Sequence, residues 1–195
     1  MPFKPGPDLL AGPLGRKGSM GPQTMSLKTE GAPPPPKPPS GFRIEDRIGV
    51  QAPAEVIWDL IYDLEGWSDW NPLYVKAEGQ VRIGSELALT MVLEDEPPQV
   101  IKPVVLEWVP NDQLHWKLKM MGGLVNNTRF IEIEILDVAS CIVSNGELFG
   151  GLLGPRVVKR IGRKVHHGFQ AMNEALKAQA EARWRAQGGA PTSAT

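Results

Sequence analysis

Apolar and polar residues alternate along the chain between residues 73 and 150. Because successive side chains of a strand point to opposite faces, this pattern predicts about six half-buried antiparallel strands. The turn-forming sequences VPND and LDVAS predict hairpins, and EDEPP predicts a looser acidic connection. Three apolar sets would each share one strand face: Leu87, Leu89, Met91 and Leu93; Leu114, Trp116 and Leu118; Ile131, Ile133 and Ile135.

Apolar positions that recur every three or four residues predict helices on both sides of these strands. Pro53 suits a helix start, Asp63 can cap a second short helix, and Pro72 ends it. The first helix would bury Val56, Ile57, Leu60 and Ile61. A long amphipathic helix between about residues 157 and 184 would bury Val158, Ile161, Val165, Phe169, Met172 and Leu176.

The segment FRIEDRIGV, residues 42–50, predicts a short edge strand that precedes the helices. Phe42 and Ile44 share one face, but the following positions break the alternation, so we expect a bulge. The predicted order is one strand, two short helices, a run of strands and a long helix. We therefore expect an α+β fold, a curved antiparallel sheet with the helices on one face.

The first 40 residues lack any periodic apolar face. Pro, Gly, Lys and Ser dominate them, and they end in APPPPKPPSG. Such a composition buries too little apolar surface to offset the entropy of an ordered chain. The sequence therefore predicts a disordered Pro/Gly-rich arm over 1–40, a folded domain over 41–186 and a flexible tail over 187–195.

The distribution of charge and the cysteine content argue against several classes of function. The formal charge is +3 over 1–40, −10 over 41–150 and +6 over 151–195, and the acidic middle argues against nucleic-acid binding. Cys141 is the only cysteine, so no intrachain disulfide can form. The sequence has neither the apolar run of a secretory signal nor a transmembrane run of about 20 residues. We expect a soluble, cytoplasmic protein.

Motifs for metal binding, nucleophilic catalysis and nucleotide binding are missing. His115 stands alone, and His166 and His167 are adjacent, so on a helix they point about 100° apart and cannot hold one ion together. The sequence has no HExxH, CxxC or GxSxG motif and no glycine-rich nucleotide fingerprint. We expect no metal and no cofactor.

The chain resembles the polyketide cyclase/dehydrase branch of the START-like (Bet v 1-like, SRPBCC) superfamily over residues 42–184. The resemblance implies a helix-grip fold, in which the curved sheet wraps around the long C-terminal helix and encloses an apolar cavity. It also implies that Trp58, Trp67 and Trp70 close the corner between the two short helices. The resemblance rests on Pro53, Trp58, Asp63, Trp70, Asn71, Pro72, Gly84, Trp116, and the stretches GELFGGLLGP and FQAMNEALKAQAE.

Candidate site residues follow from the faces that would line such a cavity, expected to measure roughly 300–1,000 Å³. Arg129 and Glu147 lie on inward strand faces and are candidate catalytic groups; alternatively, they form an ion pair or lie exposed at the rim. The candidate ligand-binding residues are Trp58, Leu89, Met91, Trp108, Trp116, Ile131, Ile133, Phe169, Met172 and Asn173.

Three functions remain open for this sequence. We favour binding or transport of a small hydrophobic molecule, such as a lipid, an isoprenoid or an aromatic polyketide. The alternatives are a cyclase or dehydratase that uses the same cavity, and an adaptor for a protein partner that the sequence does not identify. The long helix begins with a basic face that is either its solvated side or a weak contact site for an anionic membrane or acidic partner: Arg156, Lys159, Arg160, Arg163 and Lys164.

Overall fold

The structure is a computed structural model that describes residues 41–189. Within this range the chain forms eight strands, two α-helices and two short 3₁₀ segments. The elements are β1 Phe42–Val50, α1 Ala54–Tyr62, a 3₁₀ helix Glu65–Asp69, β2 Tyr74–Glu78, β3 Ala88–Met91, β4 Gln99–Ile101, β5 Val104–Val109, β6 Gln113–Met120, a 3₁₀ turn Met121–Gly123, β7 Val125–Asp137, β8 Ser140–Gly150 and α2 Gly154–Ala186.

The strands form one curved antiparallel surface made of two connected parts. Five strands follow the order β1-β8-β7-β6-β5, and three follow the order β2-β3-β4. The Leu87 amide donates to the Pro103 carbonyl (2.8 Å) and the Val105 amide donates to the Ser85 carbonyl (2.9 Å), which joins the two parts. Strands β4 and β5 are separated by just two residues, Lys102 and Pro103. The interruption occurs here because Pro103 has no backbone N–H to donate to the ladder. Together these two strands replace one of the six predicted strands.

Helix α2 lies in the curve of this surface, with its apolar stripe against the sheet. Val165, Phe169, Met172, Leu176 and Ala180 are buried along it. Four of these five positions were predicted from the helical spacing. The arrangement confirms the α+β helix-grip fold.

Strand β1 has regular pairing, so the predicted bulge is wrong. Its register with β8 runs without a shift from Phe42 opposite Phe149 to Val50 opposite Cys141. The alternation breaks because Asp46 reaches Asn173 of α2. The Asn173 amide donates to the Asp46 carboxylate (2.7 Å) and to its carbonyl oxygen (3.2 Å).

This bond is the first of three polar contacts, spaced four residues apart on α2, that hold β1 and the segment after it. Lys177 donates to the Gly49 carbonyl (2.7 Å), and the carboxylate of Glu181 accepts from the Gln51 amide (3.0 Å). Residues four apart lie on the same face of a helix. The C-terminal half of α2 is therefore attached to the sheet edge by specific hydrogen bonds as well as by apolar packing.

The aromatic residues after α1 form a packed corner, as the resemblance implies. Trp67 is fully buried, and its indole N–H donates to the carbonyls of Leu60 and Ile61 (both 3.1 Å), which end α1. Trp70 packs edge-on against Trp67, with ring centroids 6.2 Å apart. Trp58 was also expected to close this corner, but this is wrong: it stacks on Trp108 instead (6.3 Å).

Two further local expectations differ from the structure. Leu64, and not Asp63 as predicted, is the N-cap residue of the 3₁₀ helix, but the Asp63 carboxylate accepts a hydrogen bond from the Gly66 amide in its first turn (3.2 Å). Ile135 was predicted to share a buried face with Ile133, but it is 61% exposed. The pairing of β7 with β8 shifts in register between Ile135 and Asp137, at the end of this hairpin.

The predicted arm over 1–40 and the tail from residue 190 onward lie outside the described residues. Within residues 41–189, no helix is long and apolar enough to cross a membrane.

Candidate ligand-binding site

The space between the sheet and α2 has a filled half and a hollow half. In the filled half, Trp116, Phe169 and Met172 are at most 2% exposed and belong to the packed apolar core. The filled half also contains a buried cation, Arg129, which is 1% exposed. It separates the aromatic corner from the hollow half.

Arg129 is held by backbone carbonyls and aromatic rings. Its guanidinium carbon lies 3.8 Å from the ring centroid of Phe169, and its nitrogens donate to the carbonyls of Phe130 (3.1 Å) and Gly146 (2.8 Å). The Tyr74 hydroxyl accepts a further bond of 3.4 Å. Arg129 makes no ion pair with a carboxylate of residues 41–189, so neither the ion pair nor the exposed rim position considered for it is found. Carbonyl oxygens and ring faces can stabilise a cation without a counter-charge.

The hollow half is a cavity of about 130 Å³ between the sheet and the first half of α2. All but three of its lining residues are apolar. It is smaller than the expected pocket, because Arg129 and the residues around it occupy the rest of the interior. The cavity is lined by Met91, Gln99, Ile101, Leu118, Met120, Met121, Val125, Asn127, Glu147, Phe149, Val157, Ile161 and Val165.

Glu147 places a carboxyl group on the wall of this apolar cavity. Its Oε1 accepts a hydrogen bond from the Asn127 side-chain amide. Burial raises the pKa of Glu147 above its ordinary value, and the charge of Arg129 and the Asn127 bond only partly oppose this shift. The carboxyl group therefore retains its proton to higher pH than an exposed glutamate does.

Tyr74 places a second weakly acidic group, a phenol hydroxyl, next to Arg129. Burial raises the pKa of Tyr74, against the opposing effect of the nearby Arg129 charge. The hydroxyl therefore stays neutral and accepts the bond from Arg129. Tyr74 with Arg129, and Asn127 with Glu147, thus form two hydrogen-bonded polar pairs at one side of an otherwise apolar space.

The mouth of the cavity lies at the loop between β6 and β7. Met121 lines the cavity and is also 64% exposed, so it lies between the interior and solvent. The Leu153 amide donates to the Leu124 carbonyl (3.1 Å), which joins this loop to the start of α2. Gly151 has φ +88° and lies so close to the Leu124 carbonyl that a Cβ there would collide with it.

The structure brings few of the sequence-predicted site residues to the cavity. Met91 and Glu147 line it. Arg129 lies behind it, Asn173 binds Asp46, and Trp58 stacks on Trp108. The remaining candidates are buried in the packed core: Leu89, Trp116, Ile131, Ile133, Phe169 and Met172. A ligand contact at these positions stays a prediction.

Sequence reasoning missed Asn127, Phe149 and the methionines at the mouth. Asn127 could have been found, because it precedes Arg129 by two residues and so shares its strand face. Met120 and Met121 gave no signal, since they belong to the irregular sequence MMGG. Within residues 41–189, no group of three or more potential ligands is placed to hold a metal ion.

This geometry, a curved sheet gripping a long helix beside an internal apolar cavity, defines the class of helix-grip proteins. A family model described as "Polyketide cyclase / dehydrase and lipid transport" matches residues 41–181. The chain belongs to this family, and the sequence-based resemblance is confirmed. No match was found among curated protein sequences.

Solved structures with the same fold include proteins with different described roles. The aromatase/cyclase Zhui from Streptomyces sp. R1128 shares 19% identity, covers 76% of this chain and 99% of its own, and has a TM-score of 0.63. A START superfamily protein from Mycobacterium smegmatis shares 22% identity over 73% of this chain and 99% of its own, with a TM-score of 0.57. Norcoclaurine synthase from Thalictrum flavum shares 18% identity over 73% and 95%, with a TM-score of 0.55. At these identities the similarity establishes the fold.

Proposed function

We propose that this protein binds a small apolar molecule in the cavity between its sheet and α2, with one polar group of that molecule against Glu147 and Asn127. The observation that supports this proposal is the apolar cavity with a hydrogen-bonded carboxyl group on its wall. A hydrogen-bonded polar pair on the cavity wall fixes the orientation of a ligand that apolar walls alone would leave free. The family description, which includes lipid transport, agrees with such a role.

The size of the cavity suggests what the ligand presents to it. An apolar protein cavity of about 150 Å³ can hold benzene, so a space of about 130 Å³ accommodates one ring or a short branched chain. Larger ligands require the walls to move. Met91, Met120 and Met121 line the cavity, and methionine side chains adapt their shape at low cost. We therefore favour a ligand with a ring or an isoprenoid-sized end, which widens the cavity by displacing these methionines.

Two small probes test the role of Glu147 directly. Toluene and p-cresol differ by one hydroxyl group, which can hydrogen-bond to Glu147. We expect p-cresol to bind several-fold more tightly than toluene by titration calorimetry, because one hydrogen bond contributes about 0.5–1.5 kcal/mol. Glu147→Leu with Asn127→Leu removes both polar groups, so this double variant should lose the preference and keep toluene binding. If neither probe binds, or if the preference survives in the double variant, the proposal is wrong.

The natural ligand can be sought independently of these probes. Native mass spectrometry of the protein purified from its own host, followed by extraction and identification of the bound molecule, would give its class. We expect an apolar molecule with at least one hydrogen-bonding group. The cavity-blocking variant Ile161→Trp serves as the control, because Ile161 lines the cavity and a larger side chain there should displace the ligand.

The second candidate function is a cyclase or dehydratase that works in the same cavity. The raised pKa of Glu147 supports it, because a protonated carboxyl in an apolar site can donate a proton to a carbonyl or a leaving hydroxyl group. An aryl β-hydroxyketone is a suitable probe, since its dehydration gives a conjugated product that absorbs in the ultraviolet. Turnover that Glu147→Gln abolishes while binding persists would favour the enzyme over the carrier.

A further inference from the structure

The mouth of the cavity is surrounded by exposed apolar side chains from two adjoining loops. Met121 is 64% exposed, Leu124 is 45% exposed and Leu152 is 81% exposed. The backbone bond between Leu153 and Leu124 holds the two loops together. These side chains therefore form a common apolar projection at the mouth, where the cavity meets solvent.

The first half of α2, which continues from this projection, is strongly basic, and Glu94 and Glu96 of the β3–β4 connection offset only part of its charge. Arg156, Arg160 and Arg163 are exposed at spacings of four and three residues and share one helix face, with Lys159 beside them. No acidic residue occurs between Gly154 and Asn173. These four side chains form no ion pair within residues 41–189, whereas Lys164 is paired with Glu96 (2.9 Å).

A second exposed apolar group, at the β7–β8 hairpin, shows the opposite electrostatic character. Leu136 is 56% exposed and Val138 is 84% exposed, and their neighbours in the chain include the acidic residues Glu134 and Asp137. Exposed apolar residues thus occur with acidic neighbours at this hairpin and with unpaired basic residues at the cavity mouth. The two sites provide a natural comparison.

We propose that the mouth surface, defined as Met121, Leu124, Leu152, Arg156, Lys159 and Arg160, docks on an anionic lipid bilayer. Apolar side chains of this kind enter the boundary between headgroups and acyl chains, while adjacent lysines and arginines contact lipid phosphates. A nucleic acid would satisfy the basic residues and leave the apolar ones in water. A bilayer satisfies both, and it brings the cavity mouth to the phase in which apolar molecules dissolve.

Vesicle sedimentation of the full chain tests this proposal without knowledge of the ligand. The protein would be mixed with vesicles of phosphatidylcholine alone and with vesicles in which about a third of the lipid is phosphatidylserine. We expect binding to the anionic vesicles that weakens with added salt, and little binding to the neutral ones. No binding to anionic vesicles at low salt, or equal binding to both kinds, would overturn the proposal.

Paired variants then locate the contact. Arg156→Gln with Arg160→Gln should weaken binding to anionic vesicles about tenfold or more, whereas Arg183→Gln with Arg185→Gln removes the same charge about 40 Å further along the helix and should weaken it much less. Leu152→Ser removes an apolar side chain without adding charge and should weaken binding, whereas the matched change Val138→Ser at the β7–β8 hairpin should not.

The outcomes of the paired variants distinguish docking through the mouth surface from a general attraction between charges. Equal losses in both charge pairs would mean that overall charge, or another segment, directs binding, and the proposal would fail. Unchanged binding in Leu152→Ser would reduce the contact to a purely electrostatic one, such as that made with an acidic protein, and would also overturn it. All of the substituted positions are exposed, so unchanged melting temperatures should accompany the losses.

Discussion

At the scale of single residues, buried polar side chains distinguish this interior from an ordinary apolar core. Arg129 is buried among carbonyls and rings, Glu147 bonds to Asn127, and Asn173 bonds to Asp46. Each such group requires a partner, because an unpaired buried donor or acceptor costs about 1–3 kcal/mol. Asn173 serves to attach α2 to β1, while Glu147 alone among these charged groups faces open cavity.

The pH dependence of stability should reveal Glu147. Its pKa is raised in the folded protein, so the folded state binds more protons than the unfolded state above pH 4.5, its ordinary pKa. Stability from this group is therefore fully present below pH 4.5 and is lost as pH rises through the folded-state pKa. We expect Glu147→Gln to gain melting temperature relative to the wild type as pH increases, measured by thermal unfolding from pH 4 to pH 8.

An exposed glutamate on the same fold provides the control for this experiment. Glu174 is exposed on α2, so Glu174→Gln makes the same chemical change on the solvent side of the helix and serves as the matched control. If the Glu147→Gln difference is constant with pH, or falls as pH rises, then the carboxyl group is not destabilised by its surroundings and its assignment as a protonated group is wrong.

Sequence pattern predicts which residues point inward, but it does not predict what they meet there. Alternation placed Arg129 and Glu147 on the inner face correctly, and helical spacing did the same for Phe169. The cavity position depends on the long Arg129 side chain, which folds over the Phe169 ring and fills space that the sequence analysis assigned to a ligand. The direction of the Arg129 side chain depends on packing between parts of the chain that are distant in sequence, and the alternation pattern carries no information about it.

At the scale of elements, α2 has two halves with different attachments. Its C-terminal half binds β1 and the following segment through Asn173, Lys177 and Glu181. Its first half borders the cavity, and there Lys164 pairs with Glu96 of the β3–β4 connection (2.9 Å). An element beside a void has fewer packing contacts to lose when it opens.

Hydrogen exchange should separate these two halves of α2. We expect the backbone amides of residues 158–165 to exchange faster than those of residues 170–181, because opening of the first half breaks fewer contacts. Mass spectrometry of peptic fragments would measure the difference. A bound ligand should slow exchange in the first half selectively. Equal protection of both halves without ligand would contradict the idea that the first half opens to admit it.

Substitutions on the two halves should also have different costs. Ile161 lines the cavity, so Ile161→Trp can use free volume, and we expect a melting temperature within a few degrees of the wild type. Met172 is fully buried in the filled half, so Met172→Trp should overpack it and cost about 1–3 kcal/mol. Thermal unfolding measures both. If Ile161→Trp proved less stable than Met172→Trp, the void would lie on the other side of Arg129.

At the scale of the whole molecule, charge is distributed by segment. The segment 41–150 has a net negative charge and contains the eight strands of the described residues. The segment 151–195 has a net positive charge and contains α2. The predicted arm over 1–40 adds a further +3. The positive charge of α2 is concentrated in its first half, beside the cavity mouth, which is also the half that lacks the bonds to β1. Ligand access, opening and membrane docking would therefore share one end of the molecule.

Removal of residues 1–40 tests whether the domain is self-sufficient. The arm offers no periodic apolar face that could dock on the domain, and the structure of residues 41–189 already buries the α2 stripe and the aromatic corner. We expect the truncated chain to melt within about 2 °C of the full chain, a difference that corresponds to less than about 1 kcal/mol for a domain of this size. Because truncation changes the formal charge from −1 to −4, the comparison should be made at two salt concentrations. A drop of many degrees at both would show that the arm is part of the fold.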